Sequence, residues 1–103
     1  MADPMRIRAT MNGDVAEVKI LMSHPMETGQ RKDASGKLVP AMFIEKVTAT
    51  WNGKTVLSAD WGPAVSKNPF LAFRFKGPKA GDKISVTWTD TAGDTRTDEA
   101  TIS

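Results

Sequence analysis

The chain contains no cysteine and no tyrosine, and its one histidine is His24. The missing cysteine excludes disulfides, thiolate metal sites, iron–sulfur clusters and a cysteine nucleophile. It leaves the compartment open, because a cysteine-free chain is at ease in oxidising and reducing surroundings alike. Long apolar runs are missing too. The longest uncharged apolar stretch, Leu38 to Ile44, falls far short of the ~20 residues a membrane helix needs. The first residues, Met1-Ala2-Asp3-Pro4-Met5-Arg6, carry no apolar signal-peptide core, so the expectation is a chain without its own export address. Charge is nearly balanced: 14 Lys+Arg stand against 12 Asp+Glu, a net +2. The basic residues are scattered along the chain, which argues against a nucleic-acid partner. The glycines sit in turn sequences, and none opens a helical pattern that could cradle phosphate.

What remains is a chain of 103 residues, 40% hydrophobic and 25% charged, which suits a single domain spanning 1–103. Its apolar spacing is mostly two, the period of strands. Met5, Ile7, Ala9 and Met11 alternate with Arg6, Arg8 and Thr10. Asn12-Gly13-Asp14 turns the chain into a second strand, Val15 to Met22, with Ala16, Val18, Ile20 and Met22 on one face. On its other face Leu21 breaks the polar row of Glu17 and Lys19. A strand end apolar on both faces is covered on both faces, by the core or by a partner.

Residues 23 to 41 are polar, with a hairpin turn expected at Asp33-Ala34-Ser35-Gly36. One or two short strands are expected there, since structureless loops of that length are uncommon in compact domains. Phe43 to Trp51 reads as a strand with Phe43, Val47, Ala49 and Trp51 inward. Glu45 falls on the same inward side and so is placed near the strand's end. Asn52-Gly53 is a strong hairpin signal, and Lys54 to Leu57 returns from it. After a connector, Phe70 to Phe75 presents Leu71, Phe73 and Phe75 on one face. Ile84, Val86 and Trp88 form the inward face of the next strand, and Thr95 to Ile102 is the last. Seven short antiparallel strands in about 100 residues predict an all-β, immunoglobulin-like β-sandwich. A small barrel is the competing fold. Without a disulfide, the core must rest on Trp51, Trp88 and the phenylalanines.

No serine–histidine or metal-loop constellation emerges, so no catalytic residue, cofactor or metal is assigned and the chain is read as non-enzymatic. His24 with Pro25 is read as capping a strand end and fixing the turn after it. An alternative is sharper. Met22, His24 and Met26 lie at i, i+2 and i+4, and on an extended chain they point the same way. Two thioethers and an imidazole would suit Cu(I), as in a small copper-binding β-sandwich. Asp90, Asp94, Asp98 and Glu99 are read as a solvated turn. With no chemistry of its own, the chain is read as a binding module. Its contact candidates are apolar residues in turn-rich sequence: His24 and Met26, then Trp61 and Val65 within Trp61-Gly62-Pro63-Ala64-Val65, then Phe70. Trp61 reads either as an anchor for a partner or, by preference, as a lid on the core.

Leu21-Met22-Ser23-His24-Pro25-Met26-Glu27-Thr28-Gly29 resembles the signature of the SoxZ family of sulfur-oxidation proteins. The likeness continues through Gly36-Lys37-Leu38-Val39-Pro40-Ala41, Phe43-Ile44, Asn52-Gly53-Lys54-Thr55-Val56 and Trp61 to Pro69. It ends with Phe73-Arg74-Phe75-Lys76-Gly77, Gly81-Asp82 and Val86-Thr87-Trp88-Thr89-Asp90, in colinear order over nearly the whole chain. Met42 departs from it, since many members are expected to carry histidine there. The resemblance implies an immunoglobulin-like β-sandwich that forms a heterodimer with a SoxY-like subunit. That subunit's flexible C-terminal arm bears a cysteine to which sulfur intermediates of thiosulfate or sulfide oxidation are attached. The resemblance further implies a non-catalytic role, transient docking to the Sox enzymes, and a periplasmic location reached by co-export with the signal-bearing partner.

Overall fold

The computed structural model describes residues 3–62 and 65–103. Seven strands carry the fold: β1 Arg6–Asn12, β2 Val15–Leu21, β3 Ile44–Trp51, β4 Lys54–Asp60, β5 Phe70–Lys76, β6 Lys83–Asp90 and β7 Thr95–Thr101. They form two antiparallel sheets, β1-β2-β5 and β4-β3-β6-β7, packed face to face as a β-sandwich. The all-β reading and the strand count are borne out. None of the helices that would be needed to cross a membrane is present among the described residues.

Alternation sets the core. Ala16, Val18, Ile20 and Met22 from the β2 side meet Ile84, Val86 and Trp88 of β6 and Val47 and Ala49 of β3, all but free of solvent. Leu71, Phe73 and Phe75 of β5, with Trp51 and Trp61, pack against this cluster and stay half-buried. The Asn52-Gly53 turn has both residues at positive φ, 48° and 75°, the twist that closes a two-residue hairpin. Gly77 is also required. Its φ is 115°, and a Cβ there would lie 3.2 Å from the Trp51 ring.

Glu45 is a correction. The β3–β6 register runs from Ile44↔Asp90 to Lys46↔Thr89, so Glu45 is an extra residue on β3. This bulge reverses the alternation at that point. Ile44 therefore turns inward, fully buried, and Glu45 lies exposed. Its carbonyl accepts the Trp61 N–H at 2.9 Å.

The segment between β2 and β3 folds back on itself as an arm with single bridges rather than full strands. Glu27 and Met42 exchange backbone hydrogen bonds of 2.7 and 2.9 Å, and Lys32 pairs with Leu38. The expected turn lies at the arm's tip, where the Asp33 carboxylate accepts from Ser35 N and Oγ and from Lys37 N. The whole molecule measures 53 × 21 × 21 Å. Strands of seven or eight residues span only about 27 Å, so much of the long axis lies beyond them.

Candidate functional site

The inward registers of β2 and β6 run on past their apolar residues and bring two polar ones together. After Met22, the same parity places His24 inside; after Trp88, it places Asp90 inside. They are 3% and 2% exposed. His24 Nδ1 accepts the Met26 N–H at 3.0 Å, so that nitrogen carries no proton, and Nε2–H donates to Asp90 Oδ2 at 2.9 Å. The other carboxylate oxygen of Asp90 accepts from Ala92 N and Asp94 N at 3.0 and 2.8 Å. The Trp88 ring stands edge-on to the imidazole, 5.0 Å between centroids and 88° between planes. The reading of Asp90 as part of a solvated turn is thus overturned. Burial of a carboxylate is tolerated here because both of its oxygens accept hydrogen bonds, three in all.

The segment around His24 is pinned by the 68–69 loop and by the start of β3. His24 N donates to Asn68 Oδ1 at 3.0 Å and Asn68 N donates to His24 O at 2.9 Å. Met22 N donates to Pro69 O, and Met26 Sδ accepts the Ile44 N–H at 3.3 Å. Met26 and Asn68 both adopt positive φ, 50° and 51°. That is a strained conformation for side-chain-bearing residues, held by these bonds. The pinning fixes where the arm leaves the sandwich. At the arm's base the Arg31 guanidinium forms a two-nitrogen contact with Glu27, 2.8 Å at the shortest. This contact holds the Glu27 carboxyl below the usual carboxylate range, with Lys67 adding to the effect.

Neither ring nitrogen of His24 is open to a substrate. General acid–base work needs an imidazole nitrogen that can reach a substrate, and both nitrogens of His24 are committed inside the core. Copper would need the Nδ1 lone pair, which already accepts the Met26 amide, and the sulfur of Met26 is itself a hydrogen-bond acceptor. Met22, His24 and Met26 do share the inside of the molecule, as their spacing predicts, but as packing. Among the described residues no group of three or more His, Cys, Asp or Glu side chains could hold a metal ion.

The five contact candidates fall in different places. His24 and Met26 are turned inward, 3% and 5% exposed. Trp61 and Val65 are half-buried against the core, as a lid would be; Pro63 and Ala64 between them lie outside the described residues. Phe70 is 63% exposed. It pairs directly with Leu21 across β2–β5, and Leu21 is 43% exposed. Among the described residues, the apolar break in the outer row of β2 is therefore left partly open to solvent. The strongest surface feature is this Leu21–Phe70 pair. Strand alternation alone marks Leu21, but its neighbour could be known only from the pairing of β2 with β5.

The fold recurs in solved structures. A superoxide reductase in the oxidised state matches with a TM-score of 0.66 at 16% identity, covering 96% of this chain and 86% of that one. A hypothetical protein of Pyrococcus horikoshii OT3 matches with 0.66 at 16% identity, covering 99% and 89%. A superoxide reductase (neelaredoxin) of Archaeoglobus fulgidus in the reduced form matches with 0.64 at 20% identity, covering 97% and 86%. At such identities the likeness is one of fold alone. Comparison with curated proteins gives no match. The family model for sulphur oxidation protein SoxZ matches residues 5–101, which takes in every strand of both sheets, the arm and the His24 segment. The chain belongs to the SoxZ family of sulfur-oxidation proteins.

Proposed function

We propose that this protein is the non-catalytic subunit of a heterodimeric sulfur carrier in thiosulfate or sulfide oxidation. It holds a SoxY-like partner, whose C-terminal cysteine arm bears the covalent sulfur intermediate, and helps to dock that arm to the Sox enzymes. It works in the periplasm, reached by co-export with the partner. The observation that carries this reading is membership of the family over residues 5–101. Three features of the chain support it. Its only histidine is locked in the core with both ring nitrogens engaged. It has no cysteine, so it offers no thiolate to intercept sulfur from a persulfidic partner by exchange. It also leaves a pair of large apolar side chains, Leu21 and Phe70, uncovered on a sheet face.

The test is the native mass of the protein captured from the periplasm of a sulfur-oxidising host. The expected result is a heterodimer whose second chain carries one cysteine made heavier by a sulfur-containing group. A lone chain of 11.2 kDa, or one carrying copper, would overturn the reading.

A further inference from the structure

The two sides of the sandwich differ. Where β1 meets β7, the sheets are laced together: Met11 N donates to Ser103 O at 2.8 Å, Ser103 N to Ala9 O at 3.0 Å, and Met5 N to Asp98 Oδ2 at 2.9 Å. On the opposite side, where β4 and β5 are the edges, no hydrogen bond joins them among the described residues. There the inward side chains Leu71, Phe73 and Phe75 remain half-buried.

The edge that β5 presents is lightly protected. Its sequence, FLAFRFK, has no proline, and its seven residues pair with β2 without a bulge. Stable monomers blunt such edges with proline, bulges, inward charges or charged edge side chains; β5 has only Arg74 and Lys76, both toward its C-terminal end, and none over Phe70–Phe73. The outer face beside it is apolar at one end and rich in basic side chains, of which Arg74 lies 3.5 Å from Glu17 and stays 74% exposed. The register sets Arg6 beside Leu21 beside Phe70, and Arg8 beside Lys19 beside Ala72. A shallow groove of 320 Å³ runs between Arg6, Arg8, Lys19, Leu21 and Phe70. Of the charged side chains on this face, Arg6, Arg8, Lys19, Arg74 and Lys76 are basic and Glu17 alone is acidic, in a chain whose net charge is only +2.

We propose that the free edge of β5, with Leu21, Phe70 and Ala72 beside it, seats an extended strand of a partner chain. The partner sets an apolar side chain on the Leu21–Phe70 pair and carboxylates opposite Arg74 and Lys76. An unpaired row of peptide groups calls for a strand, and the basic face calls for acid. A second copy of this chain would lay two faces with the same basic surplus side by side in one continuous sheet, so an acidic partner is favoured over it. The inference rests on the function proposed above, because the partner is the second subunit of that heterodimer.

The test titrates that subunit with the wild-type protein and with the double variant Leu21→Arg/Phe70→Arg. Both positions are well exposed, and thermal melting of the free variant confirms that it is folded. The expected result is a dissociation constant weakened at least ~30-fold. Thr97→Arg, on the outer face of the other sheet, shifts it by no more than about twofold. The wild-type affinity falls as salt is added, and the alternate amides of 70–76 that point away from β2 gain protection from hydrogen exchange only in the complex. Unchanged binding by the double variant, with those outward amides still unprotected, would overturn this inference and leave the heterodimer standing. Protection of those amides in a dimer of this chain alone would replace the partner with a second copy and overturn it as well. If the wild-type protein fails to pair with the subunit at all, the proposed function falls and this inference with it.

Discussion

His24 and Asp90 lie 66 residues apart in the chain and meet in the core through one hydrogen bond of 2.9 Å. The imidazole links the β2 end to the arm, and the carboxylate closes the β6–β7 turn, so one contact ties both sheets together. The cost of burying the carboxylate is offset because three N–H donors converge on it.

Asp90→Ala removes the acceptor from all three donors. The backbone amides of Ala92 and Asp94 lie in an exposed turn and can turn to water, but His24 Nε2–H is left unpaired in the core. The expected cost is about 2–3 kcal/mol, read as a fall in melting temperature of about 10–20 °C for a domain of this size. A melt within a few degrees of wild type would mean that the pair is decorative.

The sequence made the strands legible because most of them have one face in the core and one in water. The period of two in β1, β2, β5 and β6 is the direct record of that. It could not show the Glu45 bulge, since one inserted residue reverses parity without any change in composition. Nor could it show the order β4-β3-β6-β7, because the β3–β6 pairing at its centre joins strands distant in sequence. The His24–Asp90 contact did leave a signal. Extending the inward row Ala16, Val18, Ile20, Met22 by one step reaches His24, and extending Ile84, Val86, Trp88 reaches Asp90. Asp90 was masked by the acidic residues and threonines around it, which resemble a solvated turn. Leu21 is legible as an apolar residue in a polar row, but its exposure is set by the short three-stranded sheet, on whose outer side nothing is stacked among the described residues.

Acid should loosen the β1–β7 side. The Arg96 guanidinium, hydrogen-bonded to Asp98, holds that carboxyl below its ordinary value, and the Met5 N–H reinforces this. A carboxylate lowered in the folded state contributes stability that is fully present above its unfolded value near 3.9, and loses it as pH falls through the lowered folded value. Asp98→Asn should therefore be less stable than wild type at pH 7. The difference should shrink as the pH drops below about 4. Melting curves of both proteins from neutral to strongly acid pH check this; a gap that stays constant with pH would show that charge on Asp98 plays no part.

Gly77 and Gly53 separate two kinds of strain. Both sit at positive φ, 115° and 75°, but a Cβ at Gly53 meets nothing within 4 Å, while one at Gly77 meets the Trp51 ring at 3.2 Å. Trp51 is itself anchored, its Nε1–H donating to Asp82 Oδ2 at 2.9 Å. Gly53→Ala should cost about 1 kcal/mol for backbone conformation alone. Gly77→Ala should cost about 2–3 kcal/mol, because the ring must shift as well. Denaturant titration of the two variants gives the comparison, and near-ultraviolet circular dichroism should change for Gly77→Ala only.

The thioether–imidazole–thioether spacing that suggests copper should prove inert in the folded protein. A Cu(I) ion needs a free imidazole nitrogen and accessible sulfur. Freeing Nδ1 would break the Met26 N–H bond, and reaching Met22 or Met26 would open side chains that are 0% and 5% exposed. Anaerobic titration of the native chain with Cu(I), against a competing chelator, should show no stoichiometric binding. Binding should emerge only under denaturing conditions, where the three side chains are released from the core. Tight binding of one equivalent by the native protein, with the melting temperature raised, would instead mean that the His24 segment can open to a metal without unfolding.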